Sequence, residues 1–534
     1  MWYNFSQKSN SLNIPIPEVL QKILSEIQKQ NGTGYLVGGI VRDSLFNQIH
    51  KTNFKPKDYD VEVFRLTYEK LIEILSKFGD VSEVGKSFGV IKLNADGEDY
   101  DFSLPRTESK SGQKHQDFAV TSNPNLSEKD AASRRDVTIN SILYDPLTNN
   151  LIDNYNGVED IKNKTLKHTS GAFSEDPLRV LRLLSLGSRF GLSLAPETAE
   201  LAQSIRTEYQ HLPKERVYEE FKKLVTKGIE PGKALDFLYT TGWSENFPEI
   251  HDLKDVPQDS EWHPEGNVDQ HTAYVMNEAA NIATRENLSP EDREVLIYSA
   301  LAHDFAKPET TAVINKKGVD RITSHGHEEK GGPKAKAFLQ SIGAPKHIID
   351  KVVPLVQFHL SHIHHSNTPK QEAFVKSLAE KIHPANIRML ELLIEADHSG
   401  RPPLTKELPQ EARMMSDLAK QHNVYEGKHP DLLQGRDIMP YLDNKGGPIV
   451  GEILKEHRNL ILRHDPDMQS RESALAWLDR RMKKVAGLLN GNDIMNVLGL
   501  SGPNVKLMLD EAWRAQRMGT FSTKEQALEW LSKK

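Results

Sequence analysis

The chain has 534 residues, of which 37% are hydrophobic and 27% charged, and its formal net charge is −7 at pH 7. A chain of this length exceeds what one hydrophobic core serves, so we expect about three or four domains of a soluble globular protein. There is no cysteine, which excludes disulfides, thiolate zinc sites and a cysteine nucleophile.

Several features of the sequence bear on location and on partners. No apolar run is long enough to cross a membrane, and the start of the chain, "MWYNFSQKSNSLNIP", lacks the apolar core of a signal peptide. With the absence of cysteine, this predicts a cytoplasmic protein. The mildly acidic total argues against a surface coated with nucleic-acid-binding charge, although a local basic groove would not show in a total.

The first part of the chain predicts alternating helices and strands. An amphipathic pattern predicts a helix over 15–30, and "GYLVGGIVRDSLF" (34–46) predicts a strand, a Gly-Gly turn and the start of a helix. An acid-rich strand follows, then a helix near 67–78 and strands around 81–93 and 98–104. This mixed pattern predicts a small α/β domain.

The rest of the chain is predicted to be helical. Residues 105–133 are polar and turn-rich, which predicts a mobile loop with one short strand. From about 171 the pattern is helical almost to the end, and proline clusters near 248–264 and 402–409 predict domain boundaries.

The tail contains an internal repeat. "DLLQGRDIMPYLDNKGGPIVGEILKE" (431–456) aligns with "GLLNGNDIMNVLGLSGPNVKLMLDE" (487–511), and "RESALAWL" (471–478) aligns with "KEQALEWL" (524–531). The simplest interpretation is a duplicated helical unit whose Leu and Trp positions are buried.

The Gly-Gly turn is a candidate phosphate site. Gly38 and Gly39 allow the backbone to approach a ligand closely, and the N-terminus of the following helix attracts phosphate, with Arg42 one turn later. The alternative is a tight strand-to-helix turn with a surface Arg–Asp pair.

Three carboxylates alternate in "KPKDYDVEVF" (55–64), namely Asp58, Asp60 and Glu62. In a strand they project from one side, which is costly without positive partners. A lone Asp-x-Asp is more often a solvated face. After a Gly-Gly turn and an arginine, the pair Asp58 and Asp60 instead predicts a site for Mg²⁺ ions, with Asp101 as a candidate third ligand and Glu62 as a neighbour.

Two arginine-containing motifs follow. In "RRDVTINSILYD" (134–145), adjacent arginines and an acid suit triphosphate and ribose hydroxyls. In "EDPLRVLRLLSLGSRFGL" (175–192), Asp176 and Arg179 lie three apart, hence on one helix face, where they could read the edge of a nucleobase. The alternative for that pair is an ordinary helix ion pair.

The order LVGGIVRD, KDYD, RRDVTIN, DNYNGVEDI, EDPLRVLR and KERVYEEF, from about 34 to 225, resembles the family of class II tRNA nucleotidyltransferases and bacterial poly(A) polymerases. The resemblance implies an α+β fold that begins with a polymerase-β-like nucleotidyltransferase head (mixed sheet with helices). All-helical neck, HD and tail domains are expected to follow, where HD denotes a domain with a histidine–aspartate motif, described below. The boundaries we predict for these domains are 1–165, 166–255, 256–400 and 401–534.

The resemblance also implies roles for single residues. It assigns Asp58 and Asp60 to catalysis and metal binding, and Arg216 and Glu219 to a helix-stabilising motif of the neck. The segment "RTESKSG" within 105–133 is similar to the flexible element with which CCA-adding enzymes switch from C to A. The residues assigned to nucleotide binding are Gly38, Gly39, Arg42, Arg135, Asp136, Asn140, Glu175, Asp176, Arg179 and Arg182.

A second candidate site lies further along the chain. His-Asp dipeptides occur three times, at His251, His303 and His464, so the dipeptide alone means little. The middle one lies in the apolar stretch "VLIYSALAHDFAKP", and histidines and a carboxylate on neighbouring predicted helices could converge with it on one or two divalent metals.

This order of histidines and aspartates resembles the HD phosphohydrolase superfamily, and most closely the HD domain fused to some bacterial CCA-adding enzymes. The metal ligands it implies are His271, His303, Asp304 and Asp397, with His327 and His359 at a second metal or a phosphate. The metal would be a divalent transition ion of unknown identity, and the alternative is a degenerate, structural HD fold. His362, His364 and His365 are predicted to be surface residues.

The leading hypothesis is template-independent addition of CCA to the 3′ end of tRNA from CTP and ATP with Mg²⁺. The HD domain would add hydrolysis of phosphoesters such as 2′,3′-cyclic phosphates. One alternative is a poly(A) polymerase, against which the HD domain and the absence of a strongly basic tail speak. Another is an HD hydrolase whose head mainly binds RNA. The duplicated tail leaves two roles open, contact with tRNA or formation of a homodimer.

Overall fold

The structure, a computed structural model, divides into two compact units. One comprises Met1–His362 with Arg388–Arg413, and the other Ile363–Ile387 with Met414–Lys534. The residues that the structure describes are 12, 14–55, 58–84, 90–110, 118–316, 318–366, 368, 370–429, 431–442, 447–462, 468, 470–483, 487–517 and 520–534.

A seven-stranded mixed sheet forms the core of the head. The strands of the chain are β1 (Thr33–Val37), β2 (Tyr59–Phe64), β3 (Asp80–Val84), β4 (Val90–Ala95), β5 (Glu98–Ser103), β6 (Arg106–Lys110), β7 (Phe118–Ser122), β8 (Leu143–Asp145), β9 (Asn150–Ile152), β10 (Thr165–Leu166), β11 (Ser193–Leu194), β12 (Thr311–Lys316) and β13 (Val319–Ser324). The sheet has the order β3-β4-β5-β2-β1-β8-β9. Only β2 and β5 are parallel neighbours in this sheet, and the other neighbouring pairs are antiparallel.

Helices cover the sheet and make up most of the remaining chain. Up to residue 302 they are α1 (Glu18–Lys29), α2 (Gly39–His50), α3 (Tyr68–Leu75), α4 (Glu128–Ser133), α5 (Gly157–Lys162), α6 (Leu178–Phe190), α7 (Pro196–Ser204), α8 (Lys214–Lys227), α9 (Lys233–Thr240), α10 (Pro248–His251), α11 (Val268–Arg285) and α12 (Pro290–Ala302). Beyond it they are α13 (Lys307–Thr310), α14 (His327–Ser341), α15 (Lys346–Phe358), α16 (Ser361–Ser366), α17 (Gln371–Ile382), α18 (Ile387–Ser399), α19 (Gln410–Gln421), α20 (Gly435–Ile438), α21 (Pro448–Leu462), α22 (Arg471–Lys483), α23 (Gly491–Leu498), α24 (Pro503–Arg517) and α25 (Lys524–Ser532).

The α+β fold is as predicted, but three segments differ in detail. The predicted strand over 81–93 is two antiparallel strands, β3 and β4. The predicted loop at 105–133 contains the β6–β7 hairpin and α4, with 111–117 outside the described residues. The helical part is interrupted by the antiparallel β12–β13 hairpin. The stretch "TAVINKKGVDRITS" (311–324) shows the pattern of a hairpin, with apolar and polar residues alternating on both sides of a turn that contains glycine.

The tail forms two similar helical groups, each with its own core. The first copy packs around Ile438 and Leu478, and the second around Ile494 and Leu531, all fully buried. These residues occupy equivalent positions in the aligned repeat. Each copy therefore buries its apolar residues mainly against its own helices.

In the described part of the chain, no helix has both the length and the apolar composition needed to cross a membrane.

Candidate functional site

The Gly-Gly turn places backbone next to charged side chains of the head. Gly38 has a φ of 69°, a conformation that residues with a Cβ rarely adopt. A Cβ at this position would lie 3.6 Å from Asp60 Oδ2 and 3.9 Å from Arg135 Nη1. The turn, Asp60 and Arg135 are thus brought together beside the N-terminus of α2, which begins at Gly39 and favours anions.

Two predicted metal ligands lie on neighbouring parallel strands. Asp60 on β2 is in register with Asp101 on β5, and Asp58 is exposed just before β2. Burial raises the pKa of the Asp60 carboxyl to about 6, Arg135 opposes the rise, and Asp101 and Asp58 add to it. A crowded, buried carboxylate of this kind gains from a bound cation, which fits a magnesium site.

Glu62, predicted to be only a neighbour of the metal ligands, forms an ion pair with Arg135. Its side chain is buried, and its Oε2 lies 3.0 Å from Arg135 Nη2. Glu62 therefore holds the arginine that faces the Gly-Gly turn.

The first turn of α2 carries a buried ion pair. Asp43 Oδ1 accepts from Arg42 Nε at 2.8 Å, and Asp43 Oδ2 lies 2.6 Å from Arg189 Nη2 on α6. Arg42 and Asp43 are both buried, so the predicted alternative of a surface Arg–Asp pair is wrong. Both guanidinium groups also lie over the ring of Phe190, at 4.8 and 4.9 Å from its centroid.

A second chain of polar contacts leads back to the same helix. Arg42 Nη1 donates to Asn140 Oδ1 at 2.7 Å, and Asn140 Nδ2 donates to Asp136 Oδ1 at 2.9 Å. Asp136 Oδ2 in turn lies 2.9 Å from Arg182 Nη2. Burial would raise the pKa of Asp136, but Arg182 and the hydrogen bond from Asn140 lower it.

These contacts form a polar ring that closes through the backbone of α6, defined here as Asp43, Arg42, Asn140, Asp136, Arg182 and Arg189. Its two arginines from α6, Arg182 and Arg189, lie seven residues apart and hence on one face of the helix. The ring thus holds α6 against α2 and the segment after α4. Arg42, Asp136, Asn140 and Arg182, which are predicted to bind nucleotide, make these side-chain contacts with one another, and their contact with nucleotide stays a prediction.

At the start of α6, Asp176 and Arg179 each make a side-chain hydrogen bond to the backbone. Asp176 Oδ1 accepts from the amide of Leu178 at 3.1 Å, and Arg179 Nη1 donates to the carbonyl of Ala172 at 2.6 Å. Within the described residues, Asp176 and Arg179 do not pair with each other, unlike the predicted helix ion pair. Glu175, half-buried, ends the short 3-10 helix before them.

On α8, the two residues predicted to stabilise the neck are not the buried ones. Arg216 is half-buried and Glu219 is exposed, whereas Glu220 is buried. Glu220 accepts from Ser185 Oγ at 3.2 Å and pairs with Lys223 at 2.8 Å. Glu220 thus fastens α8 to α6. It stands in the motif KERVYEEF, but the resemblance assigned its neighbour Glu219.

The second site brings six predicted residues together from five helices. His271 comes from α11, His303 and Asp304 follow α12, His327 begins α14, His359 follows α15, and Asp397 lies on α18. Among the described residues, sets of three ligand atoms within 4.8 Å of one another occur only here, as His271–His303–Asp304, Asp304–His327–His359 and His263–Glu265–His271. The head carboxylates Asp58, Asp60 and Asp101 form no such set in the part of the chain that the structure describes.

Asp304 lies between two groups of histidines. Its Oδ2 is 3.1 Å from His303 Nε2, and His303 Nε2 is 3.3 Å from His271 Nε2. Its Oδ1 is 3.3 Å from His327 Nε2, which lies 3.2 Å from His359 Nε2. Both oxygens are buried, so each group can share one oxygen of the same carboxylate.

Asp397 completes the first group. Its Oδ1 lies 3.1 Å from His271 Nε2 and 3.9 Å from His303 Nε2. Burial alone would raise the pKa of Asp397 and of Asp304, but the neighbouring histidines hold both well below the usual range.

The hydrogen bonds of the rings fix which nitrogen faces inward. In His303, His327 and His359, Nδ1 lies 2.7 Å from the backbone carbonyl three residues earlier. A carbonyl only accepts, so Nδ1 carries the proton and neutral Nε2 presents a lone pair. The facing lone pairs of His327 and His359, 3.2 Å apart, repel unless a cation lies between them. The donor set therefore fits bound divalent metals.

Sequence reasoning missed three residues that support this cluster. Glu265 Oε1 lies 2.8 Å from His271 Nδ1 and 2.9 Å from His263 Nδ1. Lys307 Nζ lies 2.7 Å from Asp304 Oδ2. Glu265 lies in "WHPEGNVDQH" (262–271) and Lys307 in "LAHDFAKP" (301–308), both close in sequence to predicted ligands, but only packing shows which oxygen or nitrogen they reach.

Buried neighbours set opposite proton affinities within the cluster. Burial would lower the pKa of His271, but hydrogen bonds to Asp397 and Glu265 raise it to about 9. Burial lowers the pKa of His359 to about 3, and His327 and His303 add to that shift. In the absence of a metal, the first group thus favours a protonated ring and the second a neutral one.

The remaining histidines differ partly from their prediction. His365 is buried, not a surface residue, and packs 5.8 Å from the ring of Phe374, while His362 is half-buried and His364 exposed. Of the other His-Asp dipeptides, His251 contacts Ser244 Oγ at 3.0 Å, and His464 lies outside the described residues.

Known proteins match both sites. The "Poly A polymerase head domain" family matches residues 34–167, and the "HD domain" family matches residues 268–420. A "Multifunctional CCA protein" of Aliivibrio salmonicida (strain LFI1238) is 33% identical over 403 residues, covering 73% of this chain and 91% of that protein.

Solved structures share the fold. The Bacillus stearothermophilus CCA-adding enzyme in complex with CTP has a TM-score of 0.55 at 19% identity, covering 88% of this chain and 99% of that one. The Thermotoga maritima CCA-adding enzyme complexed with tRNA has a TM-score of 0.51 at 16% identity, covering 87% of this chain and 95% of that one.

Fold and site together define a protein with a poly(A)-polymerase-type nucleotidyltransferase head and an HD domain. The chain belongs to the multifunctional CCA protein family.

The raised pKa of Asp60 predicts that, without bound metal, this residue lowers the unfolding free energy in a pH-dependent way. A carboxyl with a folded pKa of about 6 stabilises the fold when protonated, and that stability is lost as the pH rises from the ordinary pKa of 3.8 through 6. In EDTA at pH 8, Asp60→Asn should raise the unfolding free energy by on the order of 1 to 2 kcal/mol.

Denaturant titrations of both proteins at pH 8 and at pH 4 measure this difference, which should shrink towards zero at pH 4. Asp58→Asn, at an exposed position, is the matched control and should have a smaller effect. An equal gain at both pH values would contradict the assignment.

The polar ring predicts a large loss of stability when its shared carboxylate is removed. Asp43→Ala leaves two guanidinium groups without their partner, one of them buried, so we expect a loss of about 3 to 5 kcal/mol in chemical unfolding. Glu18→Ala, which breaks the exposed Lys22 ion pair, should leave the unfolding free energy unchanged within error. Equal effects of the two substitutions would show that the ring is not a stabilising contact.

Proposed function

We propose that this chain adds CCA to the 3′ end of tRNA from CTP and ATP without a nucleic-acid template. The observation that carries the proposal is the convergence of the Gly38 turn, Asp60 and Arg135, together with the start of α6, where Asp176 precedes the helix and Arg179 lies in its first turn. The relatives' printed names and bound nucleotides support it. In the reaction, the terminal hydroxyl oxygen bonds to the α-phosphorus, pyrophosphate leaves, and the hydroxyl proton passes to solvent.

The residues of the head divide this work. Asp58 and Asp60, with Asp101 adjacent, would hold Mg²⁺, which supplies activation of the hydroxyl and neutralisation of the leaving pyrophosphate. The turn at Gly38 and Gly39 offers backbone amides to the triphosphate. Arg135, held by Glu62, adds a positive charge on the same side.

Protein side chains would select the nucleobase. Asp176 retains one free carboxylate oxygen and Arg179 retains guanidinium N–H groups, which together offer an acceptor and donors to a base edge. Because α6 is fixed to the head through the polar ring, the pair stands at a constant distance from the phosphate turn.

We propose a second activity, hydrolysis of phosphoesters in the HD domain. The clustering of donor atoms around Asp304 and the facing lone pairs of His327 and His359 support two metal positions. One would be held by His271, His303, Asp304 and Asp397, and the other by Asp304, His327 and His359. The metals would supply an activated water. With a 2′,3′-cyclic phosphate, the water oxygen bonds to phosphorus, one ring ester bond breaks, and the departing oxygen takes a proton. Lys307 is placed to offset the charge of phosphate.

The four-domain division, the cytoplasmic location and the role of the tail stay predictions. The tail's two cores are equally compatible with contact to tRNA and with homodimer formation.

Nucleotide addition tests the first proposal. Incubation with tRNAs lacking the last one, two or three nucleotides, with CTP and ATP separately and together, should restore CCA when the 3′ ends are sequenced. Asp58→Ala with Asp60→Ala should abolish addition, since the metals lose both ligands.

Asp304→Asn is the matched control, and it should leave addition intact. Poly(A) tails on unrelated RNA would favour the polymerase alternative, and addition that survives in the double variant would refute the assigned site.

Metal content tests the second proposal. After dialysis against Mn²⁺, Co²⁺ or Ni²⁺, elemental analysis of the full chain should show about two bound equivalents. Asp304→Asn should lose both, because both groups share this carboxylate, whereas His359→Ala should lose one. Equal metal content in all three proteins would contradict the shared site, and hydrolysis of 2′,3′-cyclic AMP should fall with metal content.

A further inference from the structure

Trp262 is an exposed aromatic residue beside the metal cluster of the HD domain. Its side chain is 62% exposed, although tryptophan usually buries most of its surface. It directly precedes His263, so their Cα atoms are about 3.8 Å apart. The ring of His263 lies 4.7 Å from that of His271, centroid to centroid. The backbone at Trp262 is therefore one residue away from a ring that packs against a predicted metal ligand.

The loop that carries Trp262 is held in place by several bonds. The carbonyl of Asp259 accepts from the amides of Trp262 and His263, at 3.1 Å and 2.9 Å. The carboxylate of Asp259 accepts from Arg321 on β13 at 3.1 Å. Because β13 ends just before His327, this contact connects the loop of Trp262 with the segment that carries His327. An exposed ring on such a loop loses little freedom when it binds a ligand.

Side-chain contacts join the same loop to Asp304, one of the predicted metal ligands. Lys307 Nζ donates to Gln258 Oε1 at 2.7 Å and lies 2.7 Å from Asp304 Oδ2. Gln258 Nε2 donates to the carbonyl of Gly266 at 3.2 Å, which closes the loop. The position of Trp262 is therefore fixed relative to the phosphate-handling atoms.

We propose that Trp262 is a stacking platform for the nucleobase attached to the phosphate in the HD site. This inference rests on the proposed hydrolase activity and narrows its substrates to terminal nucleotides of RNA. Every base has a π-face, so stacking accepts any terminal base while excluding phosphoesters that lack one. The residues flanking Trp262 are polar and charged, whereas a protein interface centres on a larger apolar patch.

Kinetics with a matched pair of substrates test the platform. Adenosine 2′,3′-cyclic phosphate and glycerol 1,2-cyclic phosphate carry the same five-membered cyclic phosphate, and only the first has a base. In the full, metal-loaded chain, Trp262→Ala should raise KM for the adenosine substrate about tenfold with kcat nearly unchanged, and leave the glycerol substrate unaffected. Trp262→Phe, which keeps a π-face, should restore most of the affinity.

Trp513→Ala, which removes a partly exposed indole from the other structural unit, is the matched control and should behave as the unaltered chain. Equal changes of KM for both substrates in Trp262→Ala, or no change for either, would overturn the platform.

A binding measurement separates failure of the platform from failure of the hydrolase. Adenosine 3′-monophosphate should quench part of the tryptophan fluorescence, and Trp262→Phe should remove that part. If neither cyclic phosphate is hydrolysed, the proposed hydrolase activity fails, and quenching still decides the role of Trp262. Identical quenching in the unaltered chain and in Trp262→Phe would overturn the stacking role of Trp262. A contact with a protein partner would then be the better explanation of its exposure.

Discussion

The carboxylate of Asp43 is the contact on which the geometry of the head depends. It accepts from Arg42 on its own helix and pairs with Arg189 on α6, so one buried acid joins the phosphate turn to the helix that carries Asp176 and Arg179. Breaking a buried pair of this kind costs much more than an exposed one, because a desolvated charge is left alone. The distance between the Gly38 turn, the proposed triphosphate site, and Arg179, in the proposed nucleobase site, is thereby set by the fold.

The HD cluster also consists of buried ionisable side chains, but these side chains are not all satisfied by one another. Its acids and bases also lie out of water, but the inward nitrogens of His303, His327 and His359 have no proton to share. The ring in the head satisfies its charges internally, whereas the cluster leaves its charges for a metal. This contrast distinguishes a set of charged residues that supports a site from one that forms a site.

Sequence patterns predicted the parts of this molecule whose signals are local. The Gly38 turn, Asp60 and the His-Asp pair at His303 follow from motif order and periodicity. The partner of Asp60 on the next strand depends on β2 and β5 being parallel, which no local pattern encodes. Glu265 and Lys307 were visible in the quoted stretches, yet their roles depend on which atoms packing brings within 3 Å.

Contacts between the side chains of one motif set are also invisible in the sequence. Arg42, Asp136, Asn140 and Arg182 were assigned to nucleotide from their motifs, which stays a prediction, and the structure shows that they also bond to one another. Motifs that recur in a fixed order can record residues that hold a site together as well as residues that touch a ligand. Sequence alone does not separate the two, because both need the same charged side chains.

The duplicated tail has a consequence for how such a chain can change over time. Since each copy completes its own core around one Ile and one Leu, a copy can be gained or lost without reshaping the apolar interior of the other. The tail can therefore vary in length as a modular array, while the head and the HD cluster, whose parts come from distant stretches of chain, have to be inherited whole.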